Sequence, residues 1–209
     1  MSSYIMHMCI SDVVKKKLNL TDKFIYGSIL PDLLKTVNND RQGTHYLSQV
    51  TVNDDTRNLP VIDRAVNELD IQDLDIKLGY IAHLVEDLIW FNDFVPTYAK
   101  KIEEDKYEYI ATKEIKSGKD FGEDMYSDYT NSGAYVIQKT NTNMEELKSS
   151  IYNYLENEQF KELIVKNTMY GESADIYVNK FMTKESIDKY IEIATKAVEK
   201  TILELIGDK

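Results

Sequence analysis

The sequence predicts an all-α protein, and three observations carry that prediction. Helix breakers are scarce, with 8 Gly and 3 Pro in 209 residues, so long helices can run without interruption. Apolar residues recur at intervals of three and four through most segments. Hydrophobic residues make up 43% and charged residues 29%, the balance of a chain that folds around a core. The length suits a single helical domain over 1–209, divided into a first half, 1–95, and a helical C-terminal half, 96–209.

Taken in order, Ser2 or Ser3 is the expected N-cap of a helix reaching about Leu18, with Ile5, Met8, Cys9, Val13 and Leu18 as its apolar stripe. Thr21 or Asp22 opens the segment FIYGSILPDLLK, which Pro31 is expected to break or kink, leaving Asp32 at a helix junction. Asn38 to Asn58 reads as loop, with a helical turn around His45 to Val50. Pro60 suits the first position of a helix running to about Leu69. Asp73 or Asp75 starts the longest expected helix, through Leu78, Ile81, Ala82, Val85, Ile89 and Phe94, with a kink at Pro96. Ala99 to Lys119 is charged and reads as surface helix followed by loop. Two or three helices fill the rest: Gly122 to Lys139, Asn143 to Asn167 with a break, and Lys184 to Ile206. The last carries a stripe of Ile187, Tyr190, Ile191, Ala194, Ala197, Val198 and Leu205.

Charge narrows the classes of partner. Asp and Glu number 36 against 25 Lys and Arg, a formal net charge of −11. Such a surface repels phosphate backbones, so no duplex nucleic acid is expected as partner. A local patch that holds metal ions would invert that field. Cys9 is the single cysteine, so no intramolecular disulfide forms. The segment MSSYIMHMCISDVVKKK lacks the pattern of a secretory signal, and Met1 or Ser2 is expected as the true N-terminus. The longest apolar stretch, 78–94, is interrupted by His83, Glu86, Asp87 and Asp93. No membrane span is expected, and the location is read as cytoplasmic.

Histidine occurs three times, at His7, His45 and His83. His83 and Asp87 stand four apart in the apolar GYIAHLVEDLIW. On a helix that spacing puts both on one face with Cβ atoms about 5–6 Å apart, a suitable bite for a metal ion. The same pair also suits a buried hydrogen bond that only ties helices together. His7 alone reads as a core histidine, Asp32 after Pro31 as a cap or turn residue, and His45 as a surface histidine.

Taken together and in order, these pieces resemble the zinc-dependent phospholipase C family, which shares its helical fold with zinc-dependent single-strand nucleases. The matching pieces are His7 in the first helix, FIYGSILPD ending in Asp32, Thr44-His45-Tyr46, and LGYIAHLVEDLIW with His83 and Asp87. They cover roughly the first 95 residues. The resemblance implies a multi-helix phospholipase C/nuclease-like domain with a metal site made by His7, Asp32, His45, His83 and Asp87. It implies that His45, His83 and Asp87 hold one ion, that His7 holds a second, and that Asp87 bridges the two. Asp32 then completes the second set of ligands or acts as general base on water. Zinc is the implied metal, as one or two ions, with iron or manganese also suited to these donors. The implied activity is hydrolysis of phosphate esters, with a small phosphate ester or lipid headgroup as substrate.

The chain also departs from that family. Its trinuclear members use the N-terminal amine as a ligand, whereas six residues precede His7 here. They carry two more histidines and a glutamate downstream, whereas no histidine follows His83. Asp93, Glu103, Glu104 and Glu108 are the acidic residues available there, and they read as a solvated face. The expectation is therefore a binuclear or mononuclear site. The alternative is a non-catalytic metal-binding or interaction protein that keeps part of the family site. An HD-type phosphohydrolase needs an adjacent His-Asp pair and a di-iron bundle needs Glu-x-x-His; the chain has neither.

Overall fold

A computed structural model describes residues 3–52, 55–155 and 157–207. Met1 and Ser2, the expected N-terminus and alternative N-cap, lie outside the described residues. Predominantly helical structure is what the chain adopts.

Helix α1 covers Tyr4–Leu18, capped by the Ser3 hydroxyl, which accepts from the Met6 amide at 3.2 Å. Asn19 ends it in the left-handed conformation, at φ 54°. Helix α2 spans Asp22–Asn38 and runs through Pro31 without a break. Asp32 is thus an interior helical residue and not a junction, which corrects the expectation from Pro31. The proline gives up one backbone hydrogen bond. The turns around it are held by side-chain packing, since residues 27–33 are all buried.

Helix α3, Arg41–Thr44, is a single turn placed just before His45 and not after it. Strands β1 (Leu47–Val52) and β2 (Asp55–Pro60) form an antiparallel hairpin where loop was expected. Its turn residues 53 and 54 lie outside the described residues. The signal was the β-branched Val50-Thr51-Val52 and the burial of Leu47 and Leu59, hidden among polar neighbours. Pro60 ends β2, and helix α4 follows at Ile62–Glu68.

Asp73 caps α5, Leu74–Ile89, with its carboxylate accepting from the Ile76 amide at 3.2 Å. The helix passes into a π-helical turn, Trp90–Phe94, and a 3₁₀ turn at Val95–Thr97 that contains Pro96. Every residue from Leu78 to Asp87 is buried, so α5 is surrounded on all sides. Two glycines set its distance from α2. A Cβ on Gly27 would stand 2.2 Å from the Ile76 carbonyl oxygen, and one on Gly79 would stand 2.0 Å from that of Phe24. The two backbones touch, and only glycine permits that approach.

Ala99 to Lys119 is the largest departure from expectation. In place of a surface helix it forms β3 (Ala99–Glu103), β4 (Lys106–Tyr109) and β5 (Ile115–Ser117), an antiparallel sheet in that order, before helix α6 begins. Dense charge obscured the period-two placement of Tyr107 and Tyr109, whose rings pack on Phe121 of α6 at 4.5 and 5.8 Å. Helices α6 (Gly118–Thr140), α7 (Met144–Tyr152), α8 (Glu158–Met169) and α9 (Lys184–Gly207) complete the chain. At 24 residues α9 is longer than α5, contrary to expectation. It packs on α1 and α5 through Ile187, Tyr190, Ala194 and Val198, all buried. Among the described residues no helix is long and apolar enough to cross a membrane.

Candidate metal centre

The packing of α1, α2 and α5 brings polar side chains into the core. His7 comes from α1, Asp32 from α2, His45 from the end of α3, and His83 and Asp87 from α5. All five are buried, Asp32 to 3% exposure and the rest completely. Their polar atoms converge. His83 Nε2 lies 3.2 Å from His45 Nε2, and His45 Nε2 lies 3.3 Å from Asp32 Oδ1. His7 Nε2 is 3.7 Å from Asp87 Oδ1, while Asp87 Oδ2 is 3.8 Å from His45 Nε2 and 3.9 Å from His83 Nε2.

The outer ring nitrogens show which way the lone pairs point. His83 Nδ1 donates to the Ser28 carbonyl at 2.7 Å, a partner that only accepts. The Thr44 hydroxyl donates to the Asp40 carbonyl at 2.6 Å, so its oxygen accepts from His45 Nδ1 at 3.0 Å. Both Nδ1 atoms therefore carry the hydrogen, and both Nε2 atoms turn a lone pair into the same space. Burial, then the neighbouring imidazole of His83, pushes the His7 pKa well below its ordinary value. Burial likewise takes that of His83 down to about 4, so both are neutral at physiological pH. Burial works against ionising Asp87, yet its pKa is lowered to about 2, because positive charge nearby favours the carboxylate. Burial also opposes ionisation of Asp32, but its pKa is held well below the usual carboxylate range, with the Lys35 ammonium 2.7 Å from Oδ1.

Two facing lone pairs beside two carboxylates repel one another unless a cation lies between them. The spacings suit one. Donors bonded to zinc at 2.0–2.1 Å in a tetrahedron stand about 3.3 Å apart, close to the separations here. Two buried groups could hold a metal ion, His7 with His83 and Asp87, and Asp32 with His45 and His83. Asp32 thus stands with His45 and His83, whereas the resemblance placed it with His7. The two groups share His83, whose single inward lone pair serves one ion. Asp87 turns Oδ1 toward His7 and Oδ2 toward His45 and His83, an arrangement in which a carboxylate can serve both.

Glu86 is the residue that reading the sequence missed. It is fully buried, and its Oε2 lies 3.0 Å from His7 Nδ1. Its Oε1 is buried with no hydrogen-bond partner among the described residues. Burial, then the charge of Asp87, raises its pKa well above the usual range. When His7 Nε2 binds a cation, Nδ1 carries the proton and Glu86 accepts it, the carboxylate–histidine arrangement that orients metal ligands. The signal was present: a second carboxylate beside Asp87 on an otherwise apolar helix needs a partner. By contrast, Asp93, Glu103, Glu104 and Glu108 do not join the centre. Glu103 pairs with Lys106 at 2.8 Å and Glu108 with Lys113 at 3.2 Å.

The supporting structure follows from packing. The close approach at Gly27 and Gly79 brings the Ser28 carbonyl against His83. The Tyr80 hydroxyl donates to the Thr44 carbonyl and so ties the His45 segment to α5. Tyr46, at φ 49°, turns the chain sharply out of the centre after His45. Asp32 reaches a cavity of about 130 Å³ lined by Tyr4, Lys35, Tyr126, Tyr129 and Thr130. Lys35 Nζ stands at its mouth, 2.7 Å from Asp32 Oδ1. Comparison with family models, with curated proteins and with solved structures finds no match to this chain.

Proposed function

We propose that the chain is a metal-dependent hydrolase of phosphate esters, in keeping with its resemblance to zinc-dependent phospholipase C. The observation that carries this reading is the convergence of three imidazoles and two carboxylates, with Asp32 lining a cavity. Nitrogen and carboxylate oxygen donors suit zinc first, then iron or manganese, as one or two ions. A divalent ion held there supplies charge neutralisation at a phosphoryl oxygen. His7, His45 and His83 hold their lone pairs inward, and Asp87 balances the charge. Asp32 takes a proton from the attacking water. Its Oδ1 is paired with Lys35, which leaves Oδ2 for that proton. A carboxylate held this acidic is a weak base, so turnover is slow.

The test is hydrolysis of a bis-nitrophenyl phosphate reporter with and without chelator. Chelation is expected to abolish the rate. Asp32→Asn is expected to lower it by about 10²–10⁴-fold while metal content falls far less, as loss of a general base does. Equal loss of metal and rate would make Asp32 a ligand and not a base. A second reading, a non-catalytic metal-binding protein, is favoured by the near-complete burial of the centre. A metal-replete protein inert toward lipid, nucleotide and reporter esters decides for it.

A further inference from the structure

A cleft of about 300 Å³ opens between the β1–β2 hairpin, the π-helical turn after α5, the three-stranded sheet and α6. It begins one helical turn past Asp87, at Phe91, and is bounded by Arg41, four residues before His45. Its size is at the low end of small-molecule sites. Its charge is opposite to that of the chain. Arg41, Arg57 and Lys101 line it, and no carboxylate does among the described residues, although acids outnumber bases by 36 to 25 overall.

The cations are placed by aromatic and backbone contacts. The Arg41 guanidinium lies over the Phe91 ring, 5.5 Å from its centroid. Arg57 donates to the Phe91 carbonyl at 3.1 Å. The floor is aromatic, with Tyr107 stacked on Phe121 at 4.5 Å and 13°. A guanidinium lying on an aromatic face keeps its N–H fork for a planar anion, and the rings beside it offer stacking surface.

We propose that this cleft binds a small aromatic anion, its acidic group against Arg41 and Lys101 and its ring against Phe91, Tyr107 and Phe121. The site goes beyond the hydrolase reading and does not depend on a bound metal. Charge complementarity selects the anion, because the rest of the surface repels it.

Fluorescence titration with anilinonaphthalene sulfonate, in the presence of chelator, tests the site. Phenylnaphthylamine, which has the same rings without the sulfonate, serves as the neutral arm. Phenyl phosphate and benzoate compete in separate arms and distinguish the two kinds of acid. The expected result is saturable binding at one site, displaced by at least one of the two acids. The neutral probe should bind at least tenfold more weakly. Arg41→Glu and Lys101→Glu should each weaken the sulfonate at least tenfold with unchanged circular dichroism. If Arg41→Glu does not fold, Lys101→Glu on the outer sheet carries the comparison. Equal affinity for the charged and neutral probes, or unchanged binding in the folded variants, overturns the proposal. Because chelator is present throughout, failure here leaves the metal centre untouched.

Discussion

Two groups of buried acids in this molecule have opposite surroundings. On α6, Asp128 is fully buried and accepts three backbone amides, from Lys180 at 2.8 Å and from Phe181 and Met182 at 3.0 Å. Nearby Asp124 accepts from the Tyr109 hydroxyl at 2.7 Å and pairs with Lys180. The hydrogen-bond partners named there are all donors, and the acids serve to pin the 180–182 segment. At the junction of α1, α2 and α5, Asp87 and, beside its pair with Lys35, Asp32 face imidazole nitrogens instead, and Glu86 keeps an oxygen without a donor among the described residues. Burial alone does not distinguish a structural carboxylate from a functional one; the character of its neighbours does.

The largest expected effect separates the two groups. Asp87→Ala should remove most bound metal, and with it any rise in melting temperature that metal produces. Asp128→Ala should leave metal content unchanged but strand three backbone amides, of which the buried Met182 amide costs about 1–3 kcal/mol and the two part-buried ones less. It should lower the melting temperature with and without metal. Metal analysis and thermal melts on both variants check this, and equal metal content in Asp87→Ala and the parent protein would break the distinction.

Next in size is Glu86→Gln. It keeps a polar group beside His7 Nδ1 but removes the carboxylate that would accept from that nitrogen once a cation is held at Nε2. Metal affinity should fall about 10–100-fold with little change in fold, measured by competition with a chelating dye. An unchanged affinity would return Glu86 to a packing role.

Gly79→Ala should cost about 1–3 kcal/mol, because the added methyl meets the Phe24 carbonyl and pushes α2 from α5. The same shift should loosen the Ser28–His83 bond and weaken metal binding, whereas Gly122→Ala, with nothing near its Cβ, should do neither. A Gly79→Ala protein as stable as the parent would mean that the helices relax freely.

The smallest effect is in pH. His83 titrates near 4 in the folded protein against an ordinary 6.5, so the unfolded chain binds more protons between those values. Stability of the chelated protein should therefore fall as pH drops from 6.5 to 4, and His7 acts in the same direction. Glu86, raised by burial, opposes it, since the folded form holds a proton that the unfolded form releases above its ordinary 4.5. Thermal melts over that window read the balance. A melting temperature that rises toward pH 4 would show Glu86 outweighing both imidazoles.

The sequence made the helices legible where an apolar stripe was long, as in α1, α5 and α9, and where a capping residue marked the start, as at Ser3 and Asp73. It concealed short strands, because Leu47 to Pro60 and Ala99 to Ser117 are hairpins of three to six residues per strand with mostly polar, outward-facing side chains, too short to show a clear period of two. Pro31 misled because tertiary packing overrides the local cost of a proline. The five candidate ligands were readable as scattered side chains of types that bind metal. Their convergence was expected only from the family resemblance, since composition and spacing do not show the glycine contact between α2 and α5 on which it depends. Glu86 went unnoticed because it neighbours Asp87, on which attention fell, and its full burial shows only in the fold.

Metal content of the protein tests the central claim most directly. The full chain, purified without added metal and then loaded with zinc and freed of excess, is measured by elemental analysis against protein concentration. The account predicts one or two equivalents of transition metal per chain, lost on dialysis against chelator. Less than about a tenth of an equivalent after loading would contradict it and leave the three imidazoles and their acids as a purely structural cluster.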